Sequence, residues 1–179
     1  MLNKKNKLIL FIVLSIIALV AILLPGIKYE LASQLGTPYK IKIQGYDPYD
    51  PVRGKYIQFT IDTSGIKTTE KLDTAQSRVC YITLSLAADD FYIMNQAFLK
   101  KPSDEPYLKS FMREDYNGGY YYDTPFSSYF ISEDISARAD SLLNQNFDDA
   151  YIIVKVWRGT NVITGMYIDG EAIEKLAAA

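Results

Sequence analysis

YIIVKVWRGTNVITGMYI (Tyr151–Ile168) holds two runs of β-branched and aromatic residues, Tyr151–Val156 and Val162–Ile168. Between them lies Arg158-Gly159-Thr160-Asn161, a short polar connection with a glycine. Such runs around such a connection read as a β-hairpin. Upstream, the same period of two recurs. Tyr39–Gln44 alternates Lys40 and Lys42 with Ile41 and Ile43. Lys55–Asp62 sets Ile57, Phe59 and Ile61 on one face, with Tyr56, Gln58 and Thr60 on the other. Val79–Leu86 places Cys80, Ile82, Leu84 and Leu86 together, the pattern of a half-buried strand. Phe91–Leu99 reads as a further strand. Tyr107–Arg113 and Gly119–Tyr122 flank an Asn117-Gly118 step, the strongest short hairpin signal, and Phe126–Ile131 follows.

One segment of this region has helical spacing. In Asp134–Asn146 the apolar stripe is Ile135, Ala139, Leu142 and Leu143, with Asp134 as a candidate N-cap. The expected fold is therefore mainly β, a β-rich α+β domain. It would be an antiparallel sheet or partly open barrel with one helix, preceded by a transmembrane helix.

That preceding segment is Leu8–Leu24, LILFIVLSIIALVAILL, in which Ser15 is the one polar residue. As a helix it is about 25 Å long, near the lower limit for crossing the hydrocarbon core. Pro25-Gly26 is expected to end it. Lys4, Lys5 and Lys7 precede the run, so the positive-inside rule puts the N-terminus in the cytoplasm and the domain outside. The chain thus divides into a cytoplasmic tip (1–7), an anchor (8–24), a connector (25–38), an extracytoplasmic β-rich domain (39–174) and a vector-like tail (175–179). The alternative is secretion after signal cleavage. The run is longer than a signal h-region, and no small-x-small pair is well placed after it, which favours the uncleaved anchor.

Composition narrows the chemistry. The 179 residues include no histidine, which removes His-based general bases and His-ligated zinc. The single cysteine, Cys80, allows no internal disulfide, and its apolar context predicts a buried thiol. Setting aside the three N-terminal lysines leaves 16 basic against 21 acidic residues, a net charge of about −5. A domain of that sign has no footprint for nucleic acid. No phosphate-binding glycine motif, HExxH or GxSxG is present, and no cofactor or metal is expected. The 15 tyrosines are the unusual component.

The block Tyr46-Asp47-Pro48-Tyr49-Asp50-Pro51-Val52-Arg53-Gly54-Lys55-Tyr56 closely resembles the signature of the GDYXXLXY family. Gly54 and Tyr56 match the eponymous motif. Lys55 replaces its Asp, similar to the Bacteroidetes-type variant, while Phe59 replaces its Leu and Ile61 its final Tyr. Tyr129-Phe130-Ile131-Ser132-Glu133 resembles the family's aromatic segment ending in Glu, and Val162–Gly170 resembles its terminal strand ending in Ile-Asp-Gly. The resemblance implies a bacterial protein with an N-terminal hydrophobic anchor and no established activity. It also implies association with a multi-pass membrane protein of unknown function.

Two candidate regions follow. Asp47, Asp50, Arg53, Gly54, Tyr56 and Glu133 either clamp the fold or present a binding site. Asp-Pro steps favour rigid turns, and Arg53 can hold a carboxylate bidentately, with Glu133 as a candidate partner across the fold. Tyr120, Tyr121, Tyr122 and Tyr129 form a candidate aromatic surface; alternation in a strand puts Tyr120 and Tyr122 on one face and Tyr121 on the other. No catalytic set is visible. The expected function is an envelope binding or accessory protein. The alternatives are an envelope hydrolase using Asp47, Asp50 or Glu133, and a small-ligand or glycan binder using the tyrosines.

Overall fold

A computed structural model describes residues 3–44, 56–71, 77–115 and 118–179. The hairpin of Tyr151–Ile168 lies at its centre. Strands β8 (Ala150–Trp157) and β9 (Thr160–Ile168) pair antiparallel, with Ala150, Ile152, Val154 and Val156 turned into the core. Their turn is tighter than the four residues expected. Trp157 pairs with Thr160, so the turn is Arg158-Gly159 alone, with φ of 50° and 81°. Two positive φ values in a two-residue turn match the right-handed twist of the strands. A bulge follows: Ile153 pairs with Gly165 and Val154 with Ile163. Thr164 is the extra residue, and its hydroxyl donates to the Ile153 carbonyl at 3.3 Å.

Strand β1 (Thr37–Lys42) joins the other side of β8, with Ile41 opposite Ile152. Strand β10 (Glu171–Ala172) folds back on β9 over Asp169-Gly170, whose φ values of 48° and 85° repeat the same turn geometry. This first sheet runs β1-β8-β9-β10. A second sheet has the order β4-β3-β5-β6, from β3 (Arg78–Leu86), β4 (Tyr92–Phe98), β5 (Tyr107–Glu114) and β6 (Tyr120–Tyr122). The β5–β6 hairpin stands where Asn-Gly predicts it, with Gly118 at φ 77° and the Asp115 amide donating to Gly119 O at 2.8 Å.

Strands β2 (Tyr56–Gln58) and β7 (Ser128–Phe130) make a two-stranded ribbon. The chain after β2 joins the two large sheets. Gln44 and Thr60 exchange backbone hydrogen bonds of 2.6 and 2.9 Å at the end of β1. Further on, the Lys67 amide donates to Asn95 O and the Ala97 amide to Lys67 O, each at 2.9 Å, along the edge of β4. The result is a β-rich, partly closed arrangement of antiparallel sheets. Its shared core includes Cys80, Ile82, Leu108, Met112, Ile152 and Met166. Each large apolar side chain buried there stabilises by about 1.5–3 kcal/mol. Helix α2 (Glu133–Gln145) starts one residue earlier than Asp134, with Ser132 at the N-cap position. Ala139 and Leu143 are buried and Ile135 and Leu142 pack beside them, as the stripe predicts.

Two expectations are corrected. Pro25-Gly26 does not end the first helix, and residues 25–38 are not a connector: α1 runs Lys4–Leu35 through Pro25, and β1 starts at Thr37. Proline inside a helix forfeits one amide hydrogen bond and crowds the carbonyl four residues back, a local penalty. Tertiary packing further along offsets it. Ala32 is fully buried, and the Lys155 ammonium donates to Ser33 O at 2.7 Å, capping a terminal carbonyl. Residues 173–178 form α3 (Ile173–Ala178), which packs on α2 and buries Ile173 and Ala177.

Two tests follow from this core. A Cβ at Gly159 would lie 2.4 Å from Tyr107 Cε2, at a φ that side chains resist. Gly159→Ala is expected to cost about 1–3 kcal/mol in urea unfolding of the detergent-solubilised chain, with unchanged stability as the contrary result. Burial pushes the Cys80 thiol up to about 11 and the Tyr122 hydroxyl up to about 12. Both groups are neutral in the folded state, so their contribution is intact below the unfolded values of 9.0 and 10.0. It is lost as pH rises through the folded values. Stability should fall by roughly 3 kcal/mol from the thiol alone between pH 9 and 11. Cys80→Ala should flatten that first part of the decline.

Candidate functional site

Strand β2 and the residues after it are built by alternation. Ile57, Phe59 and Ile61 point into the core, and Tyr56 points away from it. Pairing of β2 with β7 sets Tyr56 opposite Phe130, their ring centroids 6.0 Å apart and tilted. Phe130 is 74% exposed, an unusual position for a large apolar ring. Three residues on, Glu133 opens α2 on the surface. The structure therefore brings Tyr56, Phe130 and the first turn of α2 to one corner. At that turn the Asp134 carboxyl is held below its usual range by a hydrogen bond from Ser132 and by backbone amides. Asp47, Asp50, Arg53 and Gly54 lie outside the described residues, as does the suggested Arg53–Glu133 pairing.

The candidate aromatic surface divides between two environments. Tyr122 is buried and Tyr120 packs against the core, whereas Tyr121 is 52% exposed with the Arg113 guanidinium 4.5 Å from its ring centre. Alternation in β6 holds, so these three do not share a face. Tyr129 is half-buried, and its hydroxyl donates to a Glu174 carboxylate oxygen. Burial first, then that bond to an acceptor, pushes the Tyr129 hydroxyl far above its ordinary value. The contact ties β7 to α3.

A second surface was not singled out from the sequence. Register sets Lys42, Tyr151 and Tyr167 in one row across β1, β8 and β9. The rings of Tyr151 and Tyr167 stack 5.3 Å apart at 12°, and Phe91 meets Tyr151 edge-on at 5.3 Å. Gly165 lies under the Tyr167 ring; a Cβ there would come 2.7 Å from Tyr167 Cε2. The Lys42 ammonium is 4.8 Å from the centre of Phe91 and 2.8 Å from the Asp89 carboxylate. The hydrogen bond from Lys42 holds the Asp89 carboxyl below its usual range. Beside the row, a cleft of about 240 Å³ runs between β1 and β4, with Ile41, Lys42, Asp62 and Ile93 on its walls. The Lys40 ammonium lies 6.0 Å from the Tyr151 ring centre, and an aromatic ledge flanked by these two cations and by carboxylates suits a polar partner with a flat apolar element. The available sequence signal was the outward-facing pair Lys40 and Lys42, but the row needs the register with Tyr151.

Among the described residues no group of three or more His, Cys, Asp or Glu side chains could hold a metal ion. Cys80 is buried as a free thiol. Just after the signature block, Phe59 and Ile61, which stand in for the motif's Leu and final Tyr, are both core residues. Neither the curated proteins nor the solved structures hold a match to the chain. The family model of the GDYXXLXY protein matches residues 18–166, from within the apolar helix to the last strand of the central hairpin. The chain belongs to the GDYXXLXY family.

Proposed function

We propose that this protein is a single-pass, membrane-anchored accessory subunit of a bacterial envelope complex. Its β-rich domain stands on the extracytoplasmic side and binds a multi-pass membrane partner. The observation that carries this reading is the unbroken passage of α1 from its apolar run into the first sheet. Helix α1 is long and apolar enough to cross a membrane, and its last turn is docked on β8 and β9 through Ala32 and Ser33. A domain held this way has a fixed posture at the bilayer surface, which suits contact with a neighbour embedded in the same membrane. Lys4, Lys5 and Lys7 before the span support a cytoplasmic N-terminus. The corner of Tyr56, Phe130 and Glu133 and the row of Lys42, Tyr151 and Tyr167 are the surfaces offered to the partner.

The test is native electrophoresis of gently solubilised membranes from cells making the chain at its natural level. The wild type is expected to migrate in an assembly larger than its own 20.3 kDa. Insertion of a flexible Gly-Ser segment between Gly26 and Ile27 should leave thermal unfolding of the domain unchanged and release it from that assembly. Migration of the wild type alone would overturn the reading.

A further inference from the structure

Where α1 leaves its apolar run, a cavity of about 440 Å³ opens between the helix and the domain. One wall is helical: Leu24 and Pro25, with Lys28 one turn above. The facing wall comes from the domain: Lys109 of β5, and Thr160 and Asn161 just past the β8–β9 turn. Ala21, also on this wall, and Leu24 belong to the end of the apolar run, so the floor of the cavity lies just inside the boundary between hydrocarbon and headgroups. Lys28 is about 6 Å further along the helix axis, at the depth where lipid phosphates lie.

We infer that this cavity holds the headgroup of an anionic glycerophospholipid. The charges are complementary. Lys28 and Lys109 approach from opposite walls, both are exposed, and neither makes an ion pair among the described residues. In a domain whose net charge is about −5, they form a local reversal of sign. The Thr160 hydroxyl and Asn161 amide add neutral donors for phosphate oxygens. Below them the exposed side chains of Leu24 and the apolar run continue directly into the space the acyl chains occupy. The surrounding residues favour the same depth. Tyr29 and Trp157 are ring systems suited to the interface, and the Arg158 guanidinium lies 5.0 Å from the Trp157 ring centre at the turn beside the cavity. The β8–β9 turn thus acts as a second foot on the membrane, with the bound lipid between it and the anchor. The inference rests on α1 spanning the bilayer.

The experiment uses the full chain in a neutral detergent, titrated with phosphatidylglycerol or phosphatidylcholine and read by native mass spectrometry. Wild-type protein is expected to retain phosphatidylglycerol in preference to phosphatidylcholine. Lys28→Gln with Lys109→Gln should weaken the phosphatidylglycerol complex on the order of tenfold and leave phosphatidylcholine unaffected. Replacing Lys4, Lys5 and Lys7 by Gln should change nothing, since those residues are at the other end of the span. Equal binding by wild type and double variant would overturn the inference, and so would loss on the N-terminal replacements alone. Displacement by millimolar inorganic phosphate would make this a solution anion site and overturn the assignment to lipid. Alkaline carbonate extraction separates the underlying premise: a chain released from membranes has no spanning anchor, whereas a retained chain without lipid preference refutes the headgroup site alone.

Discussion

The end of α1 lies against β8 so closely that only glycine fits between them. A Cβ at Gly36 would come 2.3 Å from Ala32 O of the helix, 2.9 Å from Lys155 Cβ and 3.1 Å from the Val156 backbone nitrogen of β8. The Gly36 amide instead donates to Ala32 O at 3.0 Å, and the chain enters β1 at once, with Thr37 opposite Val156. That contact fixes the register of β1 on β8, and through it which residues face the core. A shift by one residue would turn Tyr39 and Ile41 outward and bury Lys40. Helix docking and sheet register are one constraint here.

From that seam the rest of the domain is assembled across long sequence distances. Strand β8 pairs on both sides, and residues 56–71 bind the first sheet to the second through the bonds at Thr60 and Lys67. Both sheets then share one core, in which Cys80 and Met112 of the second contribute with Ile152 and Met166 of the first. The same registers determine the surfaces. The row Lys42–Tyr151–Tyr167 and the pair Tyr56–Phe130 are cross-strand neighbours before they are anything else.

What could be read from the sequence was what local patterns encode. Period-two alternation located the strands except the short β10, though β2 is only Tyr56–Gln58 of the expected Lys55–Asp62; Asn-Gly located the β5–β6 hairpin, and the spacing of Ile135, Ala139, Leu142 and Leu143 located α2. Where tertiary contact decided, the local pattern misled. The penalty at Pro25 is visible in the sequence, whereas the docking of Ala32 and Ser33 that outweighs it is not. Thr160 and Asn161 looked like turn residues but extend the ladder, because Arg158 and Gly159 both accept positive φ. The aromatic row has no local sequence signature because residues 42 and 151 meet only through the β1–β8 register. Of the candidate site, Tyr56 and Glu133 come to one corner, while Asp47, Asp50, Arg53 and Gly54 lie outside the described residues.

Continuity of α1 has a geometric consequence. An α-helix turns about 100° per residue, so a stiff helix transmits angular phase as well as distance. The residues from Pro25 to Ala32 therefore set the azimuth of the domain around the axis of the apolar run. One residue more or less in that segment would swing the whole β domain by more than a quarter turn while raising or lowering it by only about 1.5 Å. The length of helix between the apolar run and the first sheet therefore encodes which side of the domain faces a given direction around the helix axis.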